Sequence, residues 1–345
     1  MKATIEKPET ENGSVLYDLE LPLHGTYYPL GFTVEIATNS DLVLLAAEES
    51  WGHFHKILAE PPMQLRVAVL EDGTSERLPP PTVRAQRKLL VRVADAANFS
   101  VSNLELGFAV CWLTPNVVAD RGYLRYHFIE GMVWDLLDQL YITPIHAACV
   151  RLGDSGVLLC GDSGAGKSSL AYACARKGWM FLSDDSTCLI RNRARPVVVG
   201  NPYQVRFRDS AVELFPELQD RTITRRVNGK LSIEVPTADV SGIRTICESS
   251  VDHIVFLRRG QAGPPRLVPF PKEAALPWFE QVVSYGEEVV REAQRASLHN
   301  LLRTEMFELH YDDLDSAVAM LEEMVGQHAS SPARSRTTPR ERTHA

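Results

Sequence analysis

The chain lacks a run of apolar residues long enough to predict a membrane-spanning helix, which needs about 18 to 20 of them. Its first residues, Met1 to Gly13, are polar and acidic and lack the apolar segment of a secretory signal peptide. Its six cysteines include no C-x-x-C pair, which disfavours a zinc site and a disulfide framework. These absences predict a soluble, cytoplasmic protein with reduced, buried cysteines and no membrane partner.

The chain also has fewer basic than acidic residues. The chain has 36 Lys and Arg against 44 Asp and Glu, a formal net charge of −8, so a broad nucleic-acid surface is not expected. The main basic stretch is the segment 326–345, which is rich in Ser, Thr, Pro and Arg and predicts a disordered basic tail. We therefore expect no nucleic-acid partner.

The rest of the sequence has ordinary globular composition, with 345 residues of which 45% are hydrophobic, and this length predicts about two domains. Residues 1–120 predict a smaller α+β domain of unknown role, with strands over 31–37, 63–70 and 88–93. Residues 41–51 suit either a short helix beginning after Ser40 or another strand. An amphipathic helix over 123–140 leads into a second, α/β domain, residues 121–325.

The strongest motif lies in the second domain. Residues 161–168 fit G-x-x-x-x-G-K-[ST], between a buried strand (156–160) and a helix (168–177), and predict a nucleoside triphosphate site. Backbone N–H groups and the helix N-terminus would surround phosphates, Lys167 would reach the β- and γ-phosphates, and the Ser168 hydroxyl would bind Mg²⁺. The predicted nucleotide-binding residues are Gly161, Asp162, Ser163, Gly164, Ala165, Gly166, Lys167, Ser168 and Ser169.

Two further features flank this motif. Asp184 and Asp185 end an apolar strand that one crossover helix would place close beside the P-loop strand. Adjacent carboxylates at a strand end can divide the work of binding Mg²⁺ and accepting a proton, or can simply cap a turn. His146 lies among apolar residues in the strand predicted before the P-loop strand, 144–150, where a histidine is usually a core residue.

Together, His146, the G-D-S-G-A-G-K-S loop that begins fifteen residues later and Ser183-Asp184-Asp185 resemble the catalytic domain of the HPr kinase/phosphorylase family. The resemblance is specific over residues 142–189. It implies a P-loop kinase domain of the HPr kinase/phosphoenolpyruvate carboxykinase type that uses ATP and Mg²⁺ to phosphorylate a serine of a protein or peptide. It also implies that Asp184 is the catalytic base, that Asp185 binds Mg²⁺ and that His146 orients the aspartates, although the two aspartates could exchange roles. A homo-oligomer is possible by the same resemblance.

The sequence also departs from the family. Arg206 stands where the family's strand has a metal-associated glutamate, and the family's C-terminal Gly-Arg-Asn-rich signature is absent, which disfavours the reverse, phosphorolytic reaction. Arg206 and Arg208 are two residues apart on a predicted strand and could clamp phosphates or form ordinary salt bridges. Basic residues near 221–230 could close on a substrate or form a solvated hairpin tip.

Three functions remain open from the sequence. The first is an ATP-dependent serine kinase with a protein or peptide acceptor. The second is a small-molecule kinase on the same scaffold, because a P-loop with carboxylates does not specify the acceptor. The third is a non-catalytic ATP-binding regulatory module, which the substitution at Arg206 favours.

Overall fold

The structure is a computed structural model, and it describes residues 20–71, 79–225, 227, 229–260, 263–281, 283 and 286–329. It is a mixed α/β structure with four β-sheets in these residues. No helix in this part of the chain combines the length and the hydropathy that crossing a membrane requires.

The N-terminal part forms a seven-stranded sheet with strand order β1-β2-β3-β7-β6-β5-β4. Its strands are β1 (Leu23–Tyr27), β2 (Val34–Thr38), β3 (Met63–Val69), β4 (Thr82–Gln86), β5 (Leu89–Val93), β6 (Phe99–Asn103) and β7 (Phe108–Leu113). The β2–β3 and β3–β7 pairs are parallel and the others antiparallel. The predicted strands over 31–37, 63–70 and 88–93 correspond to β2, β3 and β5.

Residues 41–51, which suited either a helix or a strand, form helix α1 (Asp41–Trp51). It buries Val43, Ala46 and Ala47 against the sheet, and Ser40 precedes it without a side-chain capping bond. Trp51 is buried as well, and the helical spacing of these four residues outweighs the continuous hydrophobicity that had suggested a strand.

A helical connection follows the first sheet, with α2 (Pro115–Ala119), α3 (Arg121–Tyr123), a π-helical turn (Leu124–Ile129) and α4 (Glu130–Leu140). It covers the amphipathic helix predicted over 123–140. Phe128, Met132 and Leu136 enter the core of the N-terminal sheet, whereas Trp134 is exposed. The same core also takes in Ile142, Cys188 and Val199 from farther along the chain. The division at residue 120 remains a prediction.

The C-terminal part contains the other three sheets. Their strands are β8 (Ile142–His146), β9 (Ala148–Leu152), β10 (Ser155–Cys160), β11 (Met180–Ser183), β12 (Ser186–Ile190), β13 (Val197–Gly200), β14 (Gln204–Phe207), β15 (Ile223–Arg225), β16 (Leu231–Pro236), β17 (Arg244–Thr245), β18 (Glu248–Ser250), β19 (His253–Arg259), β20 (Arg266–Pro269) and β21 (Glu305–Tyr311). The strand orders are β17-β11-β9-β10-β19-β21-β20, β18-β13-β12-β8 and β14-β16-β15.

Four helices accompany these sheets: α5 (Lys167–Arg176), α6 (Lys272–Glu280), α7 (Glu288–Leu301) and α8 (Leu314–Ala329). One core packs α5 and α8 against the seven-stranded C-terminal sheet, and another packs that sheet against the four-stranded sheet, α6 and α7. Helix α8 continues to Ala329, so the first four residues of the expected tail 326–345 are helical. The rest of that expectation lies outside the described residues.

Two predicted features of the C-terminal part are wrong. Residues 144–150 are not one strand, because the chain bends at Ala147 and His146 ends β8 in the four-stranded sheet, whereas Ala148 starts β9 in the seven-stranded sheet. Strand β11 does not lie beside the P-loop strand β10, because β9 inserts between them and pairs antiparallel with both. Strands β9 and β10 form a hairpin, so β9 lies directly beside β10. Strand β11 therefore pairs with the far edge of β9 and not with β10.

Candidate active site

The P-loop motif follows β10 and ends at the start of α5, as its sequence predicts. Gly164 and Gly166 have φ of +93° and +97°, a left-handed conformation that favours glycine. A Cβ at Gly166 would also lie 2.6 Å from the Tyr311 hydroxyl, which donates a hydrogen bond to the Ala165 carbonyl at 3.2 Å. The loop is therefore shaped by its glycines, and it leads into the N-terminus of α5, where unpaired backbone N–H groups favour an anion.

Lys167 is nearly buried at the base of this loop, with 6% of its surface exposed. Its Nζ donates to the carbonyl oxygens of Gly161 (2.8 Å) and Asp162 (3.2 Å) and contacts His146 Nε2 at 3.2 Å. Burial lowers the pKa of Lys167, and the Asp185 carboxylate partly opposes that effect. The lysine is thus held by neutral acceptors within reach of any phosphate bound in the loop.

His146 links this lysine to the aspartate pair. Its Nδ1 lies 3.0 Å from Asp185 Oδ1, on the opposite side of the ring from the lysine contact. The imidazole ring of His146 therefore lies between the Lys167 amine and the Asp185 carboxylate and contacts both. His146 is exposed in the site and is not the satisfied core histidine that its apolar neighbours suggest. The bend at Ala147 brings it into the site from the four-stranded sheet.

Asp184 and Asp185 have different environments although they are adjacent. Asp184 is 7% exposed, and one of its carboxylate oxygens accepts the backbone N–H of Arg206 at 2.7 Å. Burial raises the pKa of Asp184 to about 6, an effect that the Arg206 N–H and guanidinium reduce and the Asp185 charge adds to. Asp185 is half exposed and is held by His146. The two carboxylates can therefore serve different purposes at neutral pH.

Oxygen ligands suitable for Mg²⁺ lie beside each other at this point. The Ser168 hydroxyl, at the start of α5, is 3.5 Å from the Asp184 carbonyl oxygen, and Ser168 and Asp185 line the same cavity. Within the described residues no group of three or more His, Cys, Asp or Glu side chains could hold a metal ion. Proteins commonly hold Mg²⁺ through one or two side chains, with water and substrate phosphates completing the shell.

The sequence allows Arg206 and Arg208 either to bind phosphates or to form salt bridges, and the structure places the two side chains differently. The Arg208 Nη2 donates to the Ser163 hydroxyl of the P-loop at 2.7 Å, so its guanidinium lies at the phosphate side of the site. Arg206 instead pairs with Glu234, directly opposite on β16, at 3.3 Å. Arg208 can act on phosphates, whereas the charge of Arg206 is largely balanced by its neighbour.

These residues share one cavity of about 350 Å³. Its lining includes the predicted His146, Ser163, Gly164, Gly166, Lys167, Ser168, Ser169, Asp184, Asp185, Arg206 and Arg208. Gly161, Asp162 and Ala165 do not line it: the carbonyls of the first two hold Lys167, and that of Ala165 accepts from Tyr311.

Several residues that line this cavity could not be predicted from the sequence. Arg259, at the end of β19, lines the cavity, because β19 is parallel to β10 and both strands end at the same edge of the sheet. Ser210, Glu213 and Ser232 also line it. From the basic hairpin, Lys230 lines the cavity, whereas Arg221 pairs with Asp239 at 2.8 Å, and Arg226 and Asn228 lie outside the described residues.

Comparisons with known proteins add little to this geometry. No family model and no curated protein sequence matches the chain. A solved structure of the HPr(Ser) kinase/phosphatase from Coxiella burnetii aligns with 54% of this chain and 95% of its own length, at 15% identity and a TM-score of 0.28. A likeness at that level carries no argument about function, which must come from the site itself.

Proposed function

We propose that this protein is an ATP-dependent phosphotransferase that moves the γ-phosphate of ATP to a serine hydroxyl of a protein or peptide, with Mg²⁺ as the metal. One observation carries the proposal: Lys167 of the P-loop is joined through His146 to Asp185, in the same cavity as the buried Asp184. A buried carboxylate such as Asp184 can accept a proton, which phosphate binding alone does not require.

Each residue has a defined task in this proposal. The P-loop N–H groups, Lys167 and Arg208 bind the triphosphate, and Lys167 stabilises the charge on its outer phosphates. Ser168 and Asp185 would hold Mg²⁺, which supplies charge neutralisation when bound. His146 contacts Asp185 through Nδ1 at 3.0 Å, which orients the carboxylate.

Asp184 is the residue best suited to accept the proton of the acceptor hydroxyl. A base is most effective when its pKa lies near the working pH, and burial brings the pKa of Asp184 to about 6. The Arg206 N–H holds one carboxylate oxygen, which fixes the side chain. Glu213, Lys230 and Ser232 also line the cavity and would contact the acceptor.

A nucleotide-sensing module is the second candidate. The observation that favours it is that both carboxylates already have partners within the protein, Asp184 with the Arg206 backbone and Asp185 with His146. In that case ATP would bind without transfer, because the two carboxylates would serve only to hold Arg206 and His146 in place.

Transfer of γ-labelled phosphate from MgATP in a lysate of the source cells separates these functions. Lys167→Ala serves as the blank. A labelled protein band that disappears in the blank supports the serine kinase, and phosphoserine in that band completes the assignment. Label in a small molecule would show that the acceptor is a metabolite and not a protein. If the label stays in ATP although ATP binding is measurable, the result would support the nucleotide-sensing module.

A further inference from the structure

A second cavity, of about 610 Å³, shares no lining residue with the first. It is lined by His55, Ile57, Arg151, Val197, Tyr203, Thr245, Ile246, Cys247, Glu248, Ser249 and Ser250. In the antiparallel pair of β9 and β10, Leu152 lies opposite Ser155 and Ala148 opposite Leu159, near the P-loop. Arg151 and this cavity are thus at the end of β9 remote from the nucleotide.

Arg151 lacks an anionic partner. Its Nε is shielded from solvent and makes no hydrogen bond, and its Nη2 donates only to the thioether sulfur of Met180, at 3.3 Å. A thioether is a weak acceptor. Within the described part of the chain no carboxylate forms an ion pair with Arg151, so a partly buried guanidinium is left uncompensated, which is costly unless an anion completes it.

The surroundings of Arg151 fit an organic anion better than an inorganic anion. Ile57, Val197 and Ile246 give the cavity apolar walls, next to the Tyr203 ring. Glu248 and His55 are the other charged or titratable side chains on the wall, apart from the Tyr203 hydroxyl and the Cys247 thiol. Both are exposed, whereas Arg151 is partly buried, so solvent screens the charge of Glu248 more than that of Arg151.

Gly156 lets two lining residues of the cavity, Ser249 and Ser250, lie close to the seven-stranded sheet. It is opposite Arg151 on β10, and a Cβ there would lie 1.8 Å from the Ser250 carbonyl and 2.5 Å from the Ser249 hydroxyl. Its missing side chain lets β18 approach the seven-stranded sheet beside Arg151. A pocket of this volume is in the range that small ligands occupy.

We propose that this cavity binds a small organic anion, whose carboxylate or phosphate group pairs with Arg151 while its apolar part contacts Ile57, Val197 and Ile246. The site is separate from the phosphotransferase site and does not depend on the function proposed for it.

Cys247 offers a direct test, because it lines this cavity and is half-buried, whereas the other five cysteines of the chain are buried. Its alkylation is measured with iodoacetate, which is anionic, and with iodoacetamide, which is neutral. The ratio of the two rates cancels any effect of Arg151 on thiolate formation. We expect Arg151→Gln to lower the iodoacetate-to-iodoacetamide ratio by about fivefold or more at low ionic strength.

Arg244→Gln is the matched control, because Arg244 is three residues from Cys247 but does not line the cavity and donates to the Gly178 carbonyl. It should leave the ratio unchanged. An equal ratio in wild type and Arg151→Gln, or an equal fall in both variants, would overturn the proposal.

A second measurement does not require Arg151→Gln to fold. Benzoate and phenyl phosphate are tested for protection of wild-type Cys247 against iodoacetamide. Protection by either one, retained in Lys167→Ala, supports the site, and the more effective probe identifies the carboxylate or the phosphate as the preferred group. Protection by neither probe, or protection that disappears in Lys167→Ala, would refute it. Neither experiment measures phosphate transfer, so its outcome is independent of the proposed activity.

Discussion

Replacing Asp184 by asparagine should make the protein more stable at neutral pH although it damages the proposed site. The Asp184 carboxyl is 7% exposed and has a pKa of about 6, against an ordinary value of 3.8, because burial disfavours its charged form. The asparagine carbonyl can still accept the Arg206 N–H, while the buried charge is removed. Proteins commonly retain such costs at functional sites.

The magnitude and its sign follow from proton linkage. Each pKa unit between folded and unfolded states corresponds to about 1.36 kcal/mol, so a rise from 3.8 to about 6 corresponds to about 3 kcal/mol. The folded state binds the proton more tightly, so stability falls as pH rises through the interval between those two values. Below it the carboxyl is neutral in both states, and above it the full cost is present.

The assay is the free energy of unfolding by urea for wild type and Asp184→Asn at pH values from 4 to 8. Taking the difference between the two proteins cancels the other titrating groups. The variant should gain up to about 3 kcal/mol relative to wild type between pH 4 and pH 7. A difference that stays constant over this range would refute the assigned environment of Asp184.

Two other substitutions test the phosphate side of the cavity. Gly166→Ala should cost about 2 kcal/mol of stability or more and weaken ATP binding, measured by calorimetry, because φ is +97° and the new Cβ would crowd the Tyr311 hydroxyl. Gly153→Ala is the control, because Gly153 also has a positive φ, +58°, but a Cβ there would contact nothing. It should leave ATP binding unchanged. Arg208→Ala removes the guanidinium beside Ser163 and should raise the Kd for ATP about tenfold, or about 1.4 kcal/mol. An unchanged Kd would exclude Arg208 from the triphosphate site.

The P-loop and the pair of aspartates could be predicted from the sequence because each is formed by residues that are close together in the chain. The loop and helix α5 follow from glycines and a lysine within eight residues, and Asp184 and Asp185 follow from the end of an apolar strand. Arg206 and Arg208 were both predicted to bind phosphates, as a pair. The choice between them required Glu234, which is distant in sequence but opposite Arg206 in the sheet.

The remaining features depend on long-range pairing that no short segment encodes. The bend at Ala147 moves His146 into another sheet, and only the pairing of β8 with β12 places it beside Asp185. Arg259 enters the cavity because β19 lies next to β10, ninety-odd residues away in the chain. The insertion of β9 between β10 and β11 likewise follows from sheet assembly, not from the length of the crossover helix.

The central claim is that the cavity transfers phosphate through Asp184, and it is tested most directly by measuring transfer and ATP binding together. Wild type and Asp184→Asn are compared on the acceptor that is labelled in the lysate. The account predicts that the variant binds ATP as well as wild type or more tightly, and that its transfer rate falls about 100-fold or more. Transfer at the wild-type rate by a variant that still binds ATP would contradict it.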